Sequence, residues 1–263
     1  MTLSASPRRL PRWLSVPVAA VALAAALPMA HAAEFTDAQK AEIGSMVKDY
    51  LIQNPEVLRD AMVELDKRDK AQEAAKREGT VRDQSAALLN SPYNEVVGNP
   101  NGKVTLVEFF DYNCGYCKRA LDDMAKLMKT DPNLRVVLKD FPVLGPGSVE
   151  AAQVAGAVRA QLKGDKFWAF HYKLLATHGP VGKSQALAAA KDSGVDMDQL
   201  AKDMGKPEIK AAIQQNMQLA DSLSLTGTPS FVVGPEVVVG AVGYDELKDR
   251  VDNVAKCGKA TCS

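Results

Sequence analysis

The segment FDYNCGYCKRA, Phe110 to Ala120, places two cysteines three residues apart, directly behind an apolar run and directly ahead of a helical pattern. The run, VTLVEFF from Val104 to Phe110, is β-branched and aromatic, as a buried central strand requires. From Cys114 to Lys129, the residues Ala120, Leu121, Met124, Leu127 and Met128 recur on one helix face. Leu134 to Leu138 reads as a second strand, so strand, helix and strand predict a right-handed βαβ unit with Cys114 and Cys117 at its first turn. A thiol at a helix N-terminus meets free N–H groups and the positive end of the helix dipole, both of which favour an anion. Cys114 is therefore expected to ionise below the free-thiol value of about 8.5. Cys117, one turn on, shares that face and lies deeper. Cys114 is the expected attacking sulfur and Cys117 the resolving one.

A Cys-x-x-Cys pair can also be half of a zinc site, but zinc needs further ligands at comparable spacing. Cys257 and Cys262 are spaced C-x4-C at the far end of the chain, and His171 and His178 are seven apart and read as polar-face helix residues. The redox reading fits better, because the pair follows a strand and opens a helix. Residues 146–225 carry mainly helical patterns, strands return at Ser230–Val233 and Val237–Gly240, and a last helix spans Tyr244 to Val254. The order β-α-β, helical insertion, β-β-α is an α/β thioredoxin topology with an inserted helical domain.

Ahead of this lie two segments of different character. Arg8, Arg9 and Arg12, an apolar run from Trp13 to Leu27 and the Ala30-His31-Ala32 triplet have the layout of a secretory signal peptide over residues 1–32. The run is shorter than the ~20 residues a membrane span needs, and Pro17 interrupts it. Its removal takes away three arginines and no acid, leaving 29 basic against 32 acidic residues. That balance gives no basic surplus for nucleic acid. The mature chain is expected outside the cytosol, in a periplasm, where disulfides persist.

The region 33–95 reads as helical. Thr36 is a candidate N-cap, and Ile43, Met46, Val47, Tyr50 and Leu51 fall on one face. Asn54-Pro55 opens a second stripe of Val57, Leu58, Met62 and Leu65. Residues 66–80 hold no large apolar residue, being mostly charge and alanine, and Gly79 is expected to break the run, leaving a solvated helix or a linker. So short a region cannot build a core of its own. Its stripe is expected to pack either on the main domain, 96–263 with its insertion at about 145–225, or on copies of itself.

The stretch EFFDYNCGYC resembles the active-site segment of the Dsb family of bacterial periplasmic thiol–disulfide oxidoreductases, over roughly residues 92–256. Thr228-Pro229 in TGTPSF resembles the family's cis-proline loop, which lies against the dithiol and presents backbone to the substrate. The resemblance implies that Glu108, on the strand beneath the cysteines, and Lys139, on the neighbouring strand, form a buried pair that moves protons and tunes the thiols. A solvent-facing strand-end ion pair is the alternative. No cofactor is implied.

Family potentials span roughly −270 to −120 mV, about 7 kcal/mol at 30 mV per ~1.4 kcal/mol. Gly115-Tyr116 between the cysteines carries no cation, and with Thr228 before the proline it resembles the family's isomerases more than its dedicated oxidase. The segment TDAQKAEIGSMVKDYLIQNPEVLRDAMVEL resembles the N-terminal oligomerisation region of ScsC-type (suppressor of copper sensitivity) proteins. That resemblance implies a homo-oligomer, a trimer in the first instance, acting as a disulfide isomerase or reductase on client proteins with non-native disulfides. A membrane thiol reductase would keep it reduced. Two alternatives stay open: a dithiol oxidase, and Cu(I) binding through Cys114 and Cys117, since soft thiolates suit Cu(I). Of nine methionines, Met1 and Met29 fall in the leader, and the seven that remain are scattered as core fillers. Cys257 and Cys262 are expected to form a structural disulfide, with a second redox pair or a soft-metal site as alternatives.

Overall fold

The structure, a computed structural model, describes residues 35–262. The expected leader, residues 1–32, lies outside the described residues. The chain divides into two compact units between Asp60 and Ala61.

In the first unit, α1 spans Asp37–Gln53 and opens on a capping box: Gln39 N donates to the Thr36 hydroxyl at 3.3 Å, and Thr36 N donates to Gln39 Oε1 at 2.9 Å. Helix α2, Glu56–Asp83, begins here, and Asn54 accepts at its carbonyl from Val57 N. Ile43, Met46, Val47, Tyr50 and Leu58 are all exposed.

In the second unit α2 continues without interruption to Asp83, so Gly79 does not break it. The i,i+4 pairs Glu64–Arg68, Asp66–Lys70 and Glu73–Arg77 support the charged stretch. Helix α3, Ser85–Asn90, follows. Val81 and Leu88 are buried in this unit's core, ahead of residue 96, where the catalytic domain is expected to begin.

The sheet has β1 Glu95–Gly98, β2 Val104–Phe110, β3 Leu134–Asp140, β4 Ser230–Val233 and β5 Glu236–Val239, in the order β1-β3-β2-β4-β5. Strands β2 and β3 are parallel and joined by α4, Gly115–Thr130; the other pairings are antiparallel. Between β3 and β4 come α5 Pro146–Val158, α6 Asp165–Leu175, α7 Lys183–Asp192, α8 Met197–Asp203 and α9 Pro207–Ser222; α10, Tyr244–Cys257, ends the unit. The expected order β-α-β, insertion, β-β-α is present, with an edge strand, β1, that the sequence pattern did not mark.

Both sheet faces are covered, which is why β2 is apolar at nearly every position. Leu106, Phe110, Leu138 and Phe231 share one core with α4, α10 and the insertion; Val107, Phe109, Val137 and Val232 share the other with Val81, Leu88 and Leu219. Among the described residues, no helix is long and apolar enough to cross a membrane.

Candidate functional site

Strand β2 delivers the chain to the cysteines, and two polar side chains fix the turn. The buried Asp111 carboxylate accepts from the N–H of Asn113 at 2.8 Å, Val143 at 2.9 Å and Leu144 at 3.0 Å. Asn113 donates to Ser148 Oγ at 3.0 Å and the Val181 carbonyl at 2.8 Å, and accepts from Val181 N at 2.7 Å. Asp111 thus ties the cysteine loop to the loop after β3, and Asn113 ties it to the insertion. The sequence reading missed both. An Asp followed two residues later by Asn, just ahead of a helix, is an Asx-turn signal that would have marked them.

Cys114 is the N-cap of α4, with φ −78° and ψ 116°, and its sulfur accepts from Cys117 N at 3.4 Å. Both thiols are free. Donation from the Cys117 thiol is the largest influence holding the Cys114 thiol down, to about 5 from its ordinary 9.0; burial opposes it, while the Thr228 side chain and the N–H groups of Cys117 and Tyr116 reinforce it. Cys117 is fully buried, and burial pushes its thiol far up, aided by the thiol bond and by Glu108.

The Thr228–Pro229 bond is cis, and the Cys114 sulfur lies 3.1 Å from the Thr228 carbonyl, to which it donates when protonated. Ser230 Oγ donates to the Gly227 carbonyl at 2.7 Å, and Gly240 N to the Pro229 carbonyl at 2.8 Å, fixing the loop from both sides.

Glu108 lies on the cysteine side of the sheet, where burial first and the Cys114 charge second push its carboxyl up to about 8. Lys139 does not join it. In the parallel register Glu108 sits beside Leu138, and Lys139 beside Phe109. Strand alternation therefore sends the Lys139 side chain to the other face. There its ammonium donates to the Ala87 carbonyl, within α3, and to Asn94 Oδ1, just ahead of β1. Burial, then the nearby Arg159 charge, lowers it to about 7. The expected Glu108–Lys139 pair is corrected on this ground.

His171 is corrected as well: it is not on a polar face but fully buried, with Nδ1 3.2 Å from the Tyr112 hydroxyl and its ring against Phe110 at 4.7 Å. Burial lowers it to about 3, so it is neutral. His178 is exposed, beyond the end of α6. Cys257 and Cys262 are disulfide-bonded. Thr261 N donates to Glu236, and Glu236 pairs with Val233 at the end of β4 away from Ser230. The bond therefore lies at the opposite end of the sheet from Cys114.

Tyr116, between the cysteines, and Val143 and Leu144, whose N–H groups are held by Asp111, are exposed apolar side chains. Among the described residues, no group of three or more His, Cys, Asp or Glu is placed to hold a metal ion. Chemically, the site joins an ionised outer sulfur, a protonated inner one, a buried carboxyl beneath them and the exposed Tyr116 between the two cysteines.

Comparison with known proteins accords with this arrangement. Residues 105–252 match the DSBA-like thioredoxin domain family, and residues 39–72 match the copper resistance protein ScsC N-terminal domain. A crystal structure of a thioredoxin-like oxidoreductase from Silicibacter pomeroyi is 45% identical, covers 65% of this chain and 98% of its own, and superposes with a TM-score of 0.62. ScsC of Proteus mirabilis, in a transitional conformation, is 30% identical, covers 84% of this chain and 98% of its own, and has a TM-score of 0.61. The Na(+)/H(+) antiporter NhaA 1 of Salinispora arenicola is 31% identical over 160 residues, 60% of this chain. This chain spans only 24% of that antiporter's length. The chain belongs to the DsbA-like thioredoxin domain family, with an ScsC-type N-terminal domain ahead of its sheet.

Proposed function

We propose that the chain is a thiol–disulfide oxidoreductase of the periplasm, working as an isomerase and reductase on client proteins with non-native disulfides. The observation that carries this is Cys114 itself: a low-pKa sulfur capping α4, set against the cis-proline loop at Thr228, with a high-pKa thiol behind it. The Cys114 thiolate attacks one sulfur of a client disulfide. A Cys114–client disulfide forms, and the other client sulfur leaves as a thiolate. A client thiolate that attacks the mixed disulfide restores Cys114 and leaves a different client disulfide, with no net electron transfer. Attack by Cys117 instead closes Cys114–Cys117 and releases the client reduced; a membrane thiol reductase then supplies two electrons.

Cys117 must lose a proton to attack, and Glu108 is the group in place to take it. With Cys114 in a mixed disulfide, the charge that helps raise Glu108 is gone. The carboxyl then ionises more readily, at the step that needs a base. Lys139 acts instead by holding α3.

Three features support isomerase and reductase over oxidase: no cation in Gly115-Tyr116, Thr228 before Pro229, and an exposed stripe on α1 in the region matching the ScsC N-terminal domain. We read that stripe as the seam of a homo-oligomer, a trimer. Several dithiols on one assembly give a high effective thiol concentration at a bound client. The discriminating experiment is recovery of activity by a protein substrate with scrambled disulfides. The full chain is expected to catalyse it and Cys114→Ser to fail. Oxidation of reduced clients without reshuffling would favour the oxidase. The description of the N-terminal family favours one further reading, Cu(I) held by the reduced Cys114 and Cys117 pair. Native mass spectrometry of the reduced protein with Cu(I), against Cys117→Ser, tests it.

A further inference from the structure

Tyr116, between the two cysteines, is 59% exposed. Arg119, three residues on in the first turns of α4, stacks on it, with its guanidinium carbon 4.2 Å from the ring centre. The i,i+3 spacing puts the two side chains on one helix face. An exposed cation–π contact contributes about 0.5–1 kcal/mol, enough to favour the stacked arrangement over free rotation. Because the guanidinium is planar, its face can lie on the ring while its edge N–H groups stay free to bind a carboxylate.

The charges near this pair in the sequence have other partners, Asp123 among them, whose carboxylate accepts from the Tyr244 N–H. Lys118 donates to the Thr177 and Gly179 carbonyls. Asp111 is occupied by three backbone N–H groups. Asp122 accepts from the Tyr172 hydroxyl at 2.6 Å, and Glu150 from Lys183 N at 3.1 Å. The first turn of α4 holds no acid. Among the described residues, the arginines in ion pairs are Arg68, Arg77, Arg82, Arg159 and Arg250, so Arg119 brings an unpaired cation to the dithiol.

We propose that Tyr116 and Arg119 together select clients. A segment with a carboxylate beside the cysteine attacked by Cys114 seats its apolar part on the exposed Tyr116 ring edge and its carboxylate on the Arg119 edge. Arg119 is thus a specificity residue for the reaction above, and the inference rests on that oxidoreductase reading.

The test uses two peptides, each closed by one intramolecular disulfide and differing only in Asp or Lys next to the attacked cysteine. The rate at which the reduced full chain reduces each is measured at low and at high salt. The Asp peptide is expected to react about threefold faster, the scale of an exposed ion pair. The ratio should fall toward one at high salt. Arg119→Gln is expected to abolish the preference and Arg119→Glu to invert it. A wild-type ratio of one or less, or a preference that survives Arg119→Glu, overturns the proposal while leaving the oxidoreductase reading standing. Reduction of neither peptide sinks that reading, and this inference with it.

Discussion

At the scale of single residues, the dithiol behaves as two different acids, and pH separates them. Cys114 ionises at about 5 against its ordinary 9.0. Iodoacetamide labelling of the reduced protein is therefore expected to follow a midpoint near pH 5, with Cys114 modified well before Cys117. Equal labelling of the two would overturn the assignment. The sign for stability follows: a depressed acid stabilises the reduced fold fully above pH 9.0, and that contribution is lost as pH falls through about 5. Asp111 carries a separate expectation. Hydrogen bonds to a charged group contribute roughly 1.5–3 kcal/mol each, and Asp111 accepts three, so Asp111→Ala is expected to cost upwards of about 4 kcal/mol, read as a lower urea midpoint. Asp111→Asn, which keeps one acceptor, is expected to lose less. That Cys114 caps the helix and Cys117 lies deeper was legible in the sequence, because it depends on one turn of helix and nothing distant. The Glu108–Lys139 geometry was not. It depends on which residue of β3 stands beside Glu108, and that register is set by the whole sheet. His171 was misread for a related reason: α6 is packed on several sides, so its polar-face position in the sequence pattern lies in the core.

At the scale of elements, strand β2 and helix α4 were plain in the sequence, since a continuous apolar run and a 3.6-residue stripe are strong signals. Strand β1 was not, because four residues ending in a glycine carry too little pattern. Helix α2 is the instructive case. Gly79 costs about 1 kcal/mol in a helix interior, yet ion pairs before it and the burial of Val81 after it hold the helix through. A Cβ at Gly79 would meet only the Arg82 guanidinium, at 3.8 Å. Gly79→Ala is thus expected to stabilise the protein by about 0.5–1 kcal/mol, seen as a higher midpoint in helical circular dichroism. A lower midpoint would mean that position needs glycine for another reason. On the loop before β4, Thr228 lies against Cys114 through its carbonyl and its side chain. Thr228→Val removes the hydroxyl that helps hold the thiolate. It is expected to raise the Cys114 midpoint and shift the dithiol potential, both readable by alkylation in glutathione buffers. An unchanged midpoint would remove the hydroxyl from the account.

At the scale of the whole molecule, the sequence posed a choice for the N-terminal stripe: pack on the main domain, or on copies of itself. Tyr50 is 56% exposed and Val47 51%, with Met46 and Ile43 exposed beside them. Contiguous exposed apolar side chains of this kind mark an interaction surface. Burying each large one contributes about 1.5–3 kcal/mol, so a few copies suffice to hold an assembly. Val47→Asp combined with Tyr50→Asp places two charges in that seam without touching the sheet. The double variant is expected to fall to the mass of a single chain in light scattering. It should keep the Cys114 labelling midpoint, because the dithiol's supports all lie within the second unit. It should also reshuffle scrambled disulfides more slowly, because a lone dithiol gives a lower effective thiol concentration at a bound client. If the double variant keeps the mass of the parent, the stripe does not drive assembly, and the isomerase reading must rest on the dithiol alone.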